Sequence, residues 1–141
     1  MGIRKAVLKD AAGIGNLLDQ LEYPGTKTFL AKNIGRLIDH PDEALLVFEE
    51  EDKILGFISL HFIPQIALEG DFARISYFSV DESARSKGIG RAMEEHCAAL
   101  ARERGCDRME VHCHTRRTAA HNFYFRQGYE ESPKYLMKKF K

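Results

Sequence analysis

Between Ala73 and Arg104 the chain carries an order of residues that few folds accommodate. An apolar strand, Ala73 to Val80, runs into a turn reading Arg85-Ser86-Lys87-Gly88-Ile89-Gly90, and the turn opens a helix ending near Arg104. Successive backbone N–H groups of such a turn, together with the unpaired donors of the first helical turn, converge on an anion, and the helix dipole favours negative charge there. Glycine lets the main chain approach without a Cβ in the way. Arg85, Lys87 and Arg91 add balancing positive charge. A phosphate bed between a strand and a helix is therefore the first expectation.

Two familiar phosphate motifs do not fit. A P-loop needs G-x-x-x-x-G-K-[ST], a spacing the chain lacks. A dinucleotide fingerprint needs Gly or Ala at its sixth place, where Gly88-Ile89-Gly90-Arg91-Ala92-Met93 has methionine. The remaining pattern is R-x-x-G-x-G, matched by Arg85, Gly88 and Gly90.

The flanking pattern predicts an α/β domain. Ile3 to Val7 reads as a short strand, and Asp10 is placed to cap a helix with Ile14, Leu17, Leu18 and Leu21 at helical spacing. That helix should stop at Tyr23-Pro24-Gly25, with a second from about Thr28 to Asp39. Ala44 to Phe48 and Ile54 to Phe62 read as a hairpin, with Glu49 to Asp52 as its solvated turn. After the central helix, whose apolar face is Ile89, Ala92, Met93, Cys97 and Leu100 and whose Glu94, Glu95, Arg102 and Glu103 point elsewhere, Gly105 is a stop signal. Arg108 to Cys113 alternates as a half-buried strand, Thr118 to Gln127 is a short helix ending at Gly128, and Tyr129 to Phe140 offers two more strands broken at Ser132-Pro133. The order is β α α β β β α β α β β, in one domain over residues 1–141.

The 21 Lys and Arg balance the 21 Asp and Glu, so no global field draws the chain to nucleic acid or an anionic membrane. Locally the charge divides: residues 39–71 carry a net −8, and residues 85–126 a net +4. An anionic ligand on the second half and a cationic one near the first would suit this division. Three cysteines without a secretory signal, and no apolar run near the roughly 20 residues of a membrane span, indicate a soluble cytoplasmic protein with reduced thiols. His112 and His114 share a strand face, yet no spacing fits a closed zinc site, and no metal is expected.

Two segments resemble the GNAT superfamily of acyl-CoA-dependent N-acetyltransferases. Phe78 to Ala92 is similar to the family's strand, pyrophosphate loop and helix; Ala120 to Tyr129 is similar to its later A-x-x-x-Y-x-x-x-G-[FY] helix. The resemblance covers essentially the whole chain. It implies a mixed, mostly antiparallel sheet of about seven strands with about four helices, and a splayed parallel pair holding acetyl-CoA. It also implies that Phe78, Ser79 and Val80 line the pantetheine arm and that amides from Ser86, Lys87, Gly88, Ile89, Gly90 and Arg91, beside Arg85, hold the CoA pyrophosphate. Val111 to Cys113 would form the opposite wall, and Arg117, Ala120, Phe123 and Tyr124 would complete the cofactor site. Two positions depart from the family pattern: Glu82 stands where proline is common at the loop entry, and Arg117 where asparagine is common before the late helix.

The implied reaction moves an acetyl group to a primary amine of a small molecule or peptide, in a ternary complex. A tyrosine phenol, with a reference pKa of about 10, keeps its proton at neutral pH, and the resemblance gives Tyr124 the role of general acid toward the CoA thiolate. A lysine-type amine has a reference pKa of about 10.4, so a base or water chain helps to free its lone pair. Many relatives have glutamate at the position of Arg74. Substitutes are Glu69, Asp71, His61, His112 or water, and Arg74 could instead pair with an acidic substrate group. The acceptor would enter past Tyr23 and Phe29 and along the loop from Pro64 to Asp71. A different class of function, a CoA-binding sensor without turnover, is kept in view by Arg74. Many members of the family dimerise.

Overall fold

The computed structural model describes residues 2–112, 117–132 and 136–141. The chain divides into two compact units, Met1–Glu110 and Val111–Lys141.

The first unit is built on a sheet ordered β1-β2-β3-β4-β5, comprising Gly2–Lys5, Glu43–Glu50, Lys53–Ile63, Phe72–Val80 and Arg108–Val111. The first three pairings are antiparallel. At the far edge, Asp107 N–H donates to Asp71 O at 2.8 Å and Arg74 reaches Glu110 at 2.7 Å. Equal steps along both strands mean that β5 runs beside the first half of β4 in the same direction, as a helical crossover between neighbours requires. The sheet is therefore mixed and mostly antiparallel.

Helices cover both faces. α1 (Ala11–Gln20) and α2 (Leu30–Ile38) place Ile14, Leu17, Leu18 and Ile34 against Leu45, Val47 and Phe57. Neighbouring residues on a strand face opposite ways, and on the other side of Phe57 a Cβ at Gly56 would lie 2.9 Å from Met93 Sδ. α3 (Ile89–Glu103) thus packs on the opposite face, close against β3 because position 56 has no side chain. Its buried stripe is Ile89, Met93, Cys97 and Ala101, with Glu94 at 5% exposure. This corrects the face read from the sequence: Ala92 is exposed and Glu94 is turned inward.

Local signals set most of the ends. Three helices close on a residue of positive φ followed by a hydrogen bond reaching back five residues: Glu22, Gly105 and Gly128, with Tyr23 N–H to Leu18 O, Cys106 N–H to Ala101 O and Tyr129 N–H to Tyr124 O. The hairpin turn is only Glu51-Asp52, both at positive φ, which matches the twist of the flanking strands. Glu49, expected in that turn, belongs to β2 and binds Arg4 at 2.9 Å. Asp10 does not cap α1; its carboxylate accepts from Arg4 and from the Val7 N–H, and the Arg4 guanidinium is the main force holding its pKa low.

In the second unit α4 spans Thr118–Arg126. The sequence suggests about seven strands, but five are formed among the described residues. No strand occupies the described tail residues, 129–132 and 136–141. Tyr129 is drawn into the α4 cap instead of a ladder, its ring 5.2 Å from that of Tyr124, and Leu136, Met137 and Phe140 are exposed rather than alternately buried. The break expected at Ser132-Pro133 lies partly outside the described residues.

Candidate functional site

The strand–loop–helix unit forms as its sequence indicates. β4 passes Glu110 at the level of Arg74 and continues through residues 76–80, whereas β5 ends at Val111. Phe78 and Val80 are half-buried on the second half of β4, while Ser79 is buried. His112 follows β5 outside any strand and is exposed; Cys113, the third residue of the expected opposite wall, and His114 lie outside the described residues.

Loop entry is fixed by side chains rather than by proline. Buried Asp81 accepts from the Ser83 N–H at 3.0 Å, from the Ser83 hydroxyl and from Gln20 Nε2 at 2.8 Å, while Gln20 Oε1 accepts from the Glu82 N–H at 3.0 Å. These donors, the Ser83 hydroxyl foremost, lower the Asp81 carboxyl pKa to about 2. The C-terminal end of α1 is thereby tied to the start of the loop across 61 residues of sequence. Neither Asp81 nor Gln20 stands out in the sequence as a site residue, although a D-x-S after a strand is a capping signal.

Beyond this clamp Arg85 donates to Val80 O at 3.3 Å, and Ser86 and Gly88 have φ of 70° and 80°. For glycine that conformation is relaxed; for serine it is uncommon and concentrates at functional loops. Residues 85–88 are exposed and Ile89 is buried, which anchors the helix start. The first helical bond is Ala92 N–H to Gly88 O, so the amides of residues 89–91 have no acceptor within the helix. Arg91 leans along α3 toward Glu95 at 3.0 Å. A loop of this shape at a helix start fits a diphosphate.

At the other end of β4 a polar row crosses the sheet. Glu43, His61 and Arg74 are successive cross-strand partners, and Glu110 follows on β5. His61 Nδ1 meets Glu43 Oε2, and its Nε2 lies 2.5 Å from Ser76 Oγ. Ser76 is the extra residue of a β-bulge, since Ser59 pairs with Tyr77 and Leu60 with Ile75. Arg74 gives Nε and Nη2 to Glu110, at 3.1 and 2.7 Å. Tyr23, half-exposed on the loop after α1, packs edge-on to Tyr77 of the bulge at 5.1 Å; burial, followed by Tyr23, raises the Tyr77 pKa. Phe29 is also exposed, beside α2. The structure thus gathers Tyr23, His61 and Arg74 around β4. Ser76, Tyr77, Glu43 and Glu110 are members of this region that the sequence reading does not single out.

In the second unit, Tyr124 is buried, and Phe123 and Tyr129 meet its ring edge-on at 5.3 and 5.2 Å. Arg117 and Ala120 are half-buried. Among the described residues no three His, Cys, Asp or Glu side chains gather in a way that could hold a metal ion. Burial pushes the thiol of Cys97 up to about 12.

The profile of the acetyltransferase (GNAT) family matches residues 16–129. The chain belongs to the GNAT family of acetyltransferases. An uncharacterized N-acetyltransferase of Chlorobaculum tepidum is 27% identical over 132 residues, 94% of this chain and 77% of that protein. Among solved structures, a transcriptional regulator from Bacillus halodurans has a TM-score of 0.89 at 22% identity, covering 98% of each chain. Glucosamine-6-phosphate N-acetyltransferase from Arabidopsis thaliana has a TM-score of 0.84 at 24% identity, covering 99% of this chain and 97% of its own. These structural likenesses establish the GNAT fold. Among the described residues no helix is long and apolar enough to cross a membrane.

Proposed function

We propose that the protein is an acetyl-CoA-dependent N-acetyltransferase that acetylates a primary amine of a small molecule or peptide by direct attack in a ternary complex. The observation that carries this reading is the end of β4 running into a left-handed loop and a helix start whose first amides lack helical acceptors. The main chain at Phe78 and Val80 would hold the pantetheine amides, and residues 85–91 the pyrophosphate. The family match crosses from one compact unit into the other, which supports reading residues 1–141 as one catalytic domain.

In the reaction the acceptor nitrogen attacks the thioester carbonyl carbon, forming a C–N bond as the C–S bond breaks. Tyr124 donates its phenolic proton to the departing sulfur. Tyr23, Phe29 and Tyr77 offer an apolar aromatic flank, and the acidic balance of residues 39–71 favours a cationic acceptor with an apolar part. Arg74 is engaged by Glu110, which favours a structural role over capture of an acidic substrate group.

Incubation of the protein with acetyl-CoA and a panel of primary amines, followed by detection of free CoA thiol, tests the proposal. Amine-dependent thiol release is expected. Tight acetyl-CoA binding with no release for any amine would favour the sensor reading instead.

A further inference from the structure

We infer that Glu43, His61 and Ser76 form a proton relay that takes a proton from the acceptor amine at the β4 bulge. The inference rests on the transferase reading above and names the base that Arg74, at the position where many relatives carry glutamate, cannot supply.

Three strands are needed to assemble the row. Glu43 comes from β2, His61 from β3 and Ser76 from β4, with the imidazole between the two oxygens. A carboxylate only accepts hydrogen bonds, so Nδ1 of the neutral ring carries the proton and donates it to Glu43. Nε2 is then the acceptor for the Ser76 hydroxyl. Glu43 and His61 are 19% and 23% exposed, whereas Ser76 is exposed, so the hydroxyl is the outlet of a half-buried pair. The bulge produces this outlet: the extra residue between Ile75 and Tyr77 directs a hydroxyl to the imidazole two positions before Phe78. The groups facing His61 are Glu43 from β2, Ser59 Oγ at 3.5 Å on its own strand, and Ser76 and the cross-strand Arg74 from β4, the last already bound to Glu110.

Protons balance as follows. An acceptor arriving as an ammonium ion gives one N–H proton to Ser76 Oγ while the Ser76 hydroxyl proton passes to His61 Nε2, and the imidazolium later returns that proton to solvent. The freed lone pair forms the C–N bond. The further proton lost when the nitrogen becomes an amide balances the one Tyr124 delivers to sulfur. Glu43 acts through His61 and is a positioning residue.

The test compares wild type with His61→Gln, Ser76→Ala and Glu43→Gln, measuring kcat/KM for one accepted amine between pH 6.5 and 10, acetyl-CoA affinity and intact protein mass. His61→Gln and Ser76→Ala should lose roughly 10²-fold near neutral pH, the usual scale of general-base assistance. The deficit should shrink as pH approaches the amine's own pKa of about 10, because the acceptor then arrives neutral. Glu43→Gln should lose less, and acetyl-CoA affinity should hold in all three. Ser76→Ala removes one exposed oxygen, so it keeps the test open if His61→Gln does not fold. A deficit equal at every pH, or no deficit in Ser76→Ala, overturns the relay and leaves the transferase standing. An acetyl adduct on Ser76 would make that oxygen a nucleophile and likewise overturns it, while absence of wild-type turnover with every amine overturns both.

Discussion

The two ends of β4 solve different problems with different material. At its C-terminal end the fold presents main chain: the left-handed Ser86 and Gly88, and the first amides of α3. At its N-terminal end the fold presents side chains: the Glu43–His61–Ser76 row, Arg74 on Glu110, and Tyr23 on Tyr77. Backbone donors suit a ligand common to the whole family; side chains suit a ligand particular to one member. The contrast explains why a sequence motif announces the first kind of site and not the second.

Substitutions that separate chemistry from binding probe this contrast most sharply. Tyr124→Phe should lower turnover by about 10²-fold or more while acetyl-CoA affinity stays near wild type, since only the acid is lost; steady-state kinetics with calorimetric binding would check both halves. Unchanged turnover would remove Tyr124 from the mechanism. Gly88→Val should do the reverse in kind. A β-branched residue at φ 80° costs about 1–3 kcal/mol of strain, so acetyl-CoA affinity should fall by about tenfold with the amine KM little changed. If the amine KM moved as much, the two ends would not be separable.

Asp81→Ala should cost about 1–3 kcal/mol of stability, through the lost charge-assisted bonds to Ser83 and Gln20, and weaken acetyl-CoA binding more than amine binding. Thermal denaturation with and without acetyl-CoA would show it. The smallest effect is on acid stability. The folded Asp81 pKa is lowered from 3.8 to about 2, so its contribution is fully present above 3.8 and is lost as pH falls toward 2; Asp10, lowered by Arg4, acts in the same sense. In Asp81→Asn the drop in melting temperature on acidification through that window should be shallower than in wild type.

Legibility in the sequence follows the range of the interactions. Gly88, Gly105 and Gly128 act within a few residues of themselves, so the loop and two helix ends can be read directly. The pairings at the N-terminal end of β4 are separated by 18 residues for Glu43–His61, 15 for His61–Ser76 and 36 for Arg74–Glu110. No local pattern announces them, and the bulge that frees Ser76 is a property of register. The close approach of Met93 on α3 to β3 likewise depends on the missing side chain at Gly56, far away in sequence. Leu136, Met137 and Phe140 show the opposite failure, where apolar residues suggest a strand but the described tail forms no ladder.

The central claim, that this fold moves an acetyl group from acetyl-CoA to an amine, is tested most directly by following an isotopically labelled acetyl group by mass spectrometry. The account predicts label in the amine as an amide, with one CoA released per amide formed. Label remaining on CoA throughout, or appearing only as free acetate, would contradict it.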